Sequence, residues 1–329
     1  MSSKPVLSVS DLTVKVGNIS IIENVNIDVG EGEIVALVGE SGSGKSMTAL
    51  SVMGLHSGST RVTGGSITLL GEGIENASPT VMNRLRGTQM AMIFQEPVAS
   101  LNPLMRIGDQ VSESLIIHGK ASGKTAWDLA IEMLRDVGIP DPAKRAKQFP
   151  FELSGGMCQR VMIASALIAE PKMLIADEPT TALDVTIQIQ ILQLMRGLRD
   201  KTGTSILFIT HDLGVVASMA DRVCVMYGGR IVETASVKDL FRSPAHPYTR
   251  MLLQTIPRLE TERKQALYSI PGAVPDIRAW PEGCRFRTRC PIADEQCKTT
   301  PELRSPEFAQ EGSHLAACWH SGRVSELMK

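Results

Sequence analysis

The sequence predicts an α/β protein with a parallel-sheet core, an antiparallel β subdomain, a helical insertion and a small irregular C-terminal extension. Apolar runs of strand length recur at "EIVALVG", "MAMIFQ", "KMLIAD", "SILFIT" and "RVCVMY", as in strands buried on both faces. Helical patterns such as "KSMTALSVMGL" and "VTIQIQILQLMRGLRD" lie between them. Strands alternating with helices imply a parallel sheet. Two earlier runs, "LSVSDLTVKV" and "IIENVNIDV", alternate apolar and polar residues instead, the pattern of half-buried antiparallel strands.

The remaining organisation follows along the chain. From about residue 96 to 153, "RIGDQVSESLIIHG" and "KTAWDLAIEMLRDVG" read as amphipathic helices with no strand between them. That is a helical insertion within a first domain, residues 1–243. After about Pro244 prolines become frequent and regularity fades. Residues 244–329 are therefore set apart as an extension. No internal repeat or low-complexity tract is present.

Composition narrows the function classes. The 329 residues are 43% hydrophobic and 21% charged, and the formal net charge is −1. That balance argues against a general binder of nucleic acid or anionic membrane. No stretch has the apolar length of a membrane helix, and "MSSKPVLSVSDLTVKV" lacks a signal-peptide core. The expectation is a soluble cytosolic chain with reduced thiols.

The sharpest motif is "GESGSGKS", Gly39 to Ser46, which fits G-x-x-x-x-G-K-[ST]. It follows a buried strand pattern and precedes a helical one. Glycines such as Gly39, Gly42 and Gly44 let the loop wrap a phosphate. Its backbone N–H groups, including those of Ser41 and Ser43, then face the anion, and the next helix adds its dipole. Lys45 supplies a cation to the β- and γ-phosphates, and Ser46 a ligand for Mg²⁺. "KMLIADEP" ends an apolar run in Asp177 and Glu178, at the strand edge where such sheets bind ligands. Asp177 is placed to hold Mg²⁺ and Glu178 to polarise the attacking water.

"LSGGMCQR", Leu153 to Arg160, joins these motifs, and with it the chain resembles the ATP-binding-cassette (ABC) ATPases. Three further marks follow the family's order. Gln95 in "MIFQEP" matches the Q-loop, a further Mg²⁺ contact. "TALD", ending in Asp184, matches the D-loop, and His211 in "FITHDLG" matches the switch histidine. The resemblance implies a head-to-tail pair of cassettes. In such a pair Ser154, Gly155 and Gly156 cap the γ-phosphate held by the other cassette. Two positions depart from the pattern. Met157 stands where glutamine is common, and Val16 stands where an adenine-stacking aromatic is usual.

"SLNPLMRIGDQ", "HPYTRMLL" and "PGAVPD…GCRFRTRCP" extend the likeness to the dipeptide/oligopeptide and nickel importer ATPases. The resemblance implies a peripheral ATPase on the cytoplasmic face of a bacterial inner membrane. Its partners would be a second, homologous but distinct ATPase chain, two permeases and an extracytoplasmic substrate-binding protein. Peptides are the expected cargo, with nickel chelates, opines or glycosides as alternatives. The rival class is a soluble cassette protein acting on nucleic acid.

Four cysteines, Cys284, Cys290, Cys297 and Cys318, crowd the extension at spacings C-x5-C-x6-C-x20-C. No tight C-x2–4-C pair favours zinc. Four thiolates in a loop-rich segment suit an iron–sulfur cluster, and the resemblance likewise implies [4Fe–4S]. Zinc with His314 or His320 as substitute ligands, or free thiols, are the other readings. Arg285, Arg287 and Arg289 alternate between the first two cysteines, as a solvated face or as charges offsetting such a cluster. Cys158 and Cys224 read as small core residues.

Overall fold

The computed structural model describes residues 4–180, 183–256 and 268–328. Its strands are β1 (Leu7–Val16), β2 (Ile19–Val29), β3 (Ile34–Val38), β4 (Thr60–Leu69), β5 (Glu72–Gly73), β6 (Met90–Ile93), β7 (Met173–Asp177), β8 (Ser205–Thr210), β9 (Arg222–Tyr227), β10 (Arg230–Ser236) and β11 (His314–Ala316). The chain divides into two units, each assembled from separate segments.

One unit comprises residues 1–7, 29–33 and 68–209. Its strands run parallel in the order β8-β7-β6, with Met173 paired to Met90 on one side and to Ser205 on the other. The strand residues Met173, Leu174, Ile175 and Ala176 are fully buried, which explains why β7 reads as an unbroken apolar run. The helical insertion lies in this unit as Ile107–Ile117 and Gly123–Asp136, flanked by short helical turns. Ala126, Ala130 and Leu134 line the buried stripe of the longer helix, at the i, i+4, i+8 spacing of one helix face. The segment "LSGGMCQR" opens the helix Gly155–Leu167, the signature helix.

The other unit comprises residues 8–28, 34–67 and 210–329. Strands β2, β1 and β4 form its antiparallel-type layer. In β1 the buried positions shift parity, from Val9 to Leu12 and Val14. Asp11 between them takes φ 50° and donates its N–H to Asn26 Oδ1 at 2.9 Å, as an extra residue in a strand does. The unit's remaining strands follow the order β11-β10-β9-β3. Here β3 and β9 are parallel, while β10 pairs antiparallel with both β9 and β11.

The extension is less irregular than its sequence suggests. Helix Pro247–Gln254 buries Pro247, Tyr248, Thr249 and Met251. Phe286 joins Tyr227, Tyr248, Val225 and Val232 in one core, meeting Tyr227 edge-on at 5.1 Å. A segment with few apolar residues thus buries its ring against the β9–β10 sheet.

Candidate functional site

The chemistry-bearing residues fall in both units. In the second unit, the loop Gly39–Ser46 connects β3 to the helix Lys45–Val52. Gly39 passes so close to the Met226 carbonyl that a Cβ would collide with it. Gly44, at φ 106°, caps the helix and packs against the Met226 methyl. Only glycine fits either place. Lys45 is buried, and its Nζ donates to the carbonyls of Gly39 at 2.8 Å and Glu40 at 3.1 Å. The Ser43 carbonyl accepts the Gly229 N–H at 2.9 Å. Ser43 Oγ is buried with no hydrogen-bond partner among the described residues. A flexible ammonium resting on carbonyls, a buried hydroxyl and a glycine-formed cradle at a helix start fit a phosphate chain. Ser41 and Gly42 lie exposed at the loop's tip, and Ser46 is half-buried in the first helical turn.

His211 follows β8 in an exposed bend. Asp212 fixes that bend. Its N–H donates to Thr210 Oγ1 at 3.0 Å, and its carboxylate caps the next helix by accepting from Gly214 and Val215.

In the first unit, β7 ends in buried Asp177 and half-buried Glu178. Glu178 has φ 48° and donates its N–H to the Ile209 carbonyl at 2.9 Å. A non-glycine residue there carries backbone strain, which recurs at functional positions. Gln95 Nε2 donates to Glu178 Oε2 at 3.3 Å, bringing together two residues 83 positions apart. Gln159, inside the signature helix, donates to the carbonyl of Pro179, the next residue but one after Asp177. A glutamine among helical residues carries no sequence signal of that buried partner. Ser154 caps the signature helix, accepting the Met157 N–H at 3.4 Å. Gly155 and Gly156 form its first turn, so Met157 serves through its backbone. Asp184 caps Val185–Thr202 by accepting from Ile187, while Thr181 and Ala182 of "TALD" lie outside the described residues.

The cysteine reading needs correction. Cys284, Cys290, Cys297 and Cys318 line one small pocket with Phe286, Trp319 and His320. The ligand atoms that converge for an ion belong instead to Asp294, Cys297 and His320, all within 4.8 Å of one another. Only one of the four thiols is in that group, so the expected [4Fe–4S] cluster is not supported. Burial pushes the Cys290 thiol up to about 11 and Cys318 to about 12, and raises Cys284 as well. Thiols so placed hold their protons near neutrality. No disulfide joins any of the six cysteines. His314 is no ligand either, because its ring faces Glu233. Cys158 and Cys224 are buried as read.

The arginines between the cysteines form no solvated face. Arg285 reaches Glu23, which Arg230 also engages at 2.7 Å, and donates to the Gly228 carbonyl. Burial, with Arg230 close by, brings Arg285 down to about 10 despite Glu23. Arg289 is paired to Glu40 in the phosphate loop.

Fold and loop define the class, a nucleotide-binding cassette. The family model for ABC transporters matches residues 22–181, and that for the oligopeptide/dipeptide transporter C-terminal region matches residues 232–297. The oligopeptide transport ATP-binding protein OppD of Salmonella typhimurium is 47% identical over 326 residues, covering 98% of this chain and 95% of that protein. OppD of Bacillus subtilis is 48% identical over 318 residues, covering 95% and 88%. The solved dimeric cassette MJ0796, in a post-hydrolysis state bound to ADP and Pi, superposes with TM-score 0.64 at 29% identity, over 70% of this chain and 98% of that one. The chain belongs to the ATP-binding proteins of the ABC transporter family, in the group that carries the oligopeptide/dipeptide transporter C-terminal region.

Proposed function

We propose that this chain binds and hydrolyses ATP to power uptake of peptides through a membrane transporter. The Gln95–Glu178 contact carries the hydrolytic part, because it sets a carboxylate and an amide together at the end of a sheet strand, where water and metal are positioned in phosphoryl transfer. ATP, when bound, supplies the phosphoryl group. Lys45 would then meet the phosphates and Ser46 would ligate Mg²⁺, while Asp177 and Gln95 would serve as further Mg²⁺ ligands and Glu178 would orient the attacking water. His211, on its capped bend, would contact the γ-phosphate. Ser154 with the Gly155 and Gly156 amides caps the phosphate of a second cassette, and Asp184 faces that partner. The dimeric state named for MJ0796 supports such pairing.

The peptide cargo rests on the names of the relatives and on the C-terminal region they share. These favour peptides over nickel chelates, opines, glycosides or nucleic acid. No helix among the described residues is long and apolar enough to cross a membrane, and the relatives' naming as parts of peptide transporters supports permease partners. The helical insertion supports docking of one such chain, since Leu104 is 85% exposed, Phe151 75% and Val98 63%, and the second ATPase would receive the other of two permeases. A second, distinct ATPase chain and an extracytoplasmic binding protein complete the assembly, with this chain at the cytoplasmic face of the inner membrane. The test is ATPase activity in vesicles containing the cognate permeases. Stimulation by peptide-loaded binding protein is expected. Stimulation by DNA, or by none of the loaded binding proteins, would overturn the reading.

A further inference from the structure

Every polar group of Glu40, the second residue of the phosphate loop, is held. Its carbonyl accepts from Lys45. Its N–H donates to Tyr248 Oη at 2.8 Å. Its carboxylate takes a two-point pair from Arg289, with Nη1 to Oε2 at 2.7 Å and Nη2 to Oε1 at 3.1 Å. Tyr248 and Arg289 both belong to the C-terminal region, 208 and 249 positions away. Each is firmly seated. Tyr248 is fully buried and Arg289's side chain is 4% exposed. The guanidinium lies 5.8 Å from the Tyr227 ring and 5.9 Å from that of Phe286, and also donates to the carbonyls of Pro271 and Ile270.

Two consequences follow from elementary physics. A carboxylate at Glu40 repels a polyphosphate in the same loop, and a fork-shaped cation bound at two points offsets that charge. Tyr248 draws the Glu40 N–H away from the phosphate cradle and fixes the loop's entry, so less ordering remains to be done when nucleotide arrives.

We infer that the C-terminal region completes the nucleotide site. Arg289 is a positioning residue that neutralises and orients Glu40, and Tyr248 anchors the loop's backbone at the same residue. The region with the cysteines therefore sets affinity for the nucleotide as well as packing against the β9–β10 sheet. The inference rests on the ATP reading of the Gly39–Ser46 loop.

The test is titration of the full chain with MgATP and MgADP, alongside thermal unfolding. Arg289→Gln leaves Glu40 uncompensated and weakens MgATP binding about tenfold, ATP more than ADP because of its extra charge. Adding Glu40→Gln removes the stranded carboxylate and recovers affinity to within about threefold of the wild type. Arg289→Lys, which keeps the charge and loses the fork, falls between. A purely structural role gives a different pattern, in which Arg289→Gln lowers the unfolding temperature, leaves affinity within twofold and gains nothing from Glu40→Gln. That pattern overturns the inference. Should Arg289→Gln fail to fold, Tyr248→Phe decides, with about threefold weaker binding expected and unchanged binding fatal. A wild-type chain with no MgATP affinity would instead sink the ATP reading, and this inference with it.

Discussion

His314 Nε2 lies 2.7 Å from Glu233 Oε1, and both side chains are buried. Glu233 on β10 also accepts the N–H groups of Ala245 at 2.7 Å and His246 at 2.9 Å, one on each oxygen. A single carboxylate thus ties three segments together: β10, the start of helix Pro247–Gln254, and β11. Removing it strands two backbone donors and an imidazole in a buried place. Glu233→Ala is expected to cost on the order of 3 kcal/mol, read from urea unfolding with the slope unchanged. A loss under about 1 kcal/mol would show that the knot contributes little.

His246 makes a pH prediction. Its ring is buried, and burial lowers its pKa to about 3, against about 6.5 in an unfolded chain. Nδ1 accepts the Tyr248 N–H at 3.1 Å, as only the unprotonated nitrogen can. Across that window the unfolded state binds the extra proton, so stability rises with pH. The contribution is complete above about pH 6.5 and is lost as pH falls toward 3. At pH 5 this group alone costs about 2 kcal/mol relative to pH 7.5. Glu233 and Arg287 lie close by, so the comparison must be with a variant. His246→Asn keeps an acceptor for the Tyr248 N–H and should flatten the difference between pH 5 and 7.5. Equal slopes in the two proteins would refute the assignment.

Much of this architecture is legible in the sequence, and the exceptions share a cause. β7, β8 and β9 announce themselves because both faces are covered and each carries an apolar run of at least four residues. β10 does not, because Glu233 interrupts "RIVETAS", and only the distant His314 and residues 245–246 explain a buried acid there. β11 has three residues and no period to detect. Arg285 and Arg289 read as solvated because alternating arginines look the same whether they face water or carboxylates. Their partners, Glu23 and Glu40, are 262 and 249 positions away. The phosphate loop is legible because local backbone geometry demands its glycines. The thiol ligand set was not, since spacing alone does not say which side chains converge.

The strained Glu178 gives a third prediction. Its side chain is engaged by Gln95, and its proposed task is to orient and polarise water. Glu178→Gln keeps the shape and removes the base. Turnover should fall by about 10²–10⁴, while MgATP affinity in an equilibrium titration changes less than about threefold. Lys45→Ala should behave oppositely and lose affinity first, because the ammonium now seated on Gly39 and Glu40 is the loop's movable cation. Full turnover in Glu178→Gln would remove the residue from the chemistry.

The signature helix separates a capping role from a functional one. Ser154 caps the 13-residue helix Gly155–Leu167 by accepting from Met157, and asparagine caps a helix about as well as serine. Ser154→Asn should therefore leave the unfolding temperature within about 2 °C of the wild type. Ser154→Ala should cost roughly 0.5–2 kcal/mol. If Ser154 and the Gly155 and Gly156 amides meet a partner's phosphate, both variants fail alike in a second measurement. In a Glu178→Gln background, where ATP is held without turnover, the chain should pair on adding MgATP, as seen by light scattering. Either change at Ser154 should weaken that pairing at least tenfold, because neither residue places a hydroxyl in that position. Asparagine that restores both stability and ATP-driven pairing would reduce Ser154 to a helix cap.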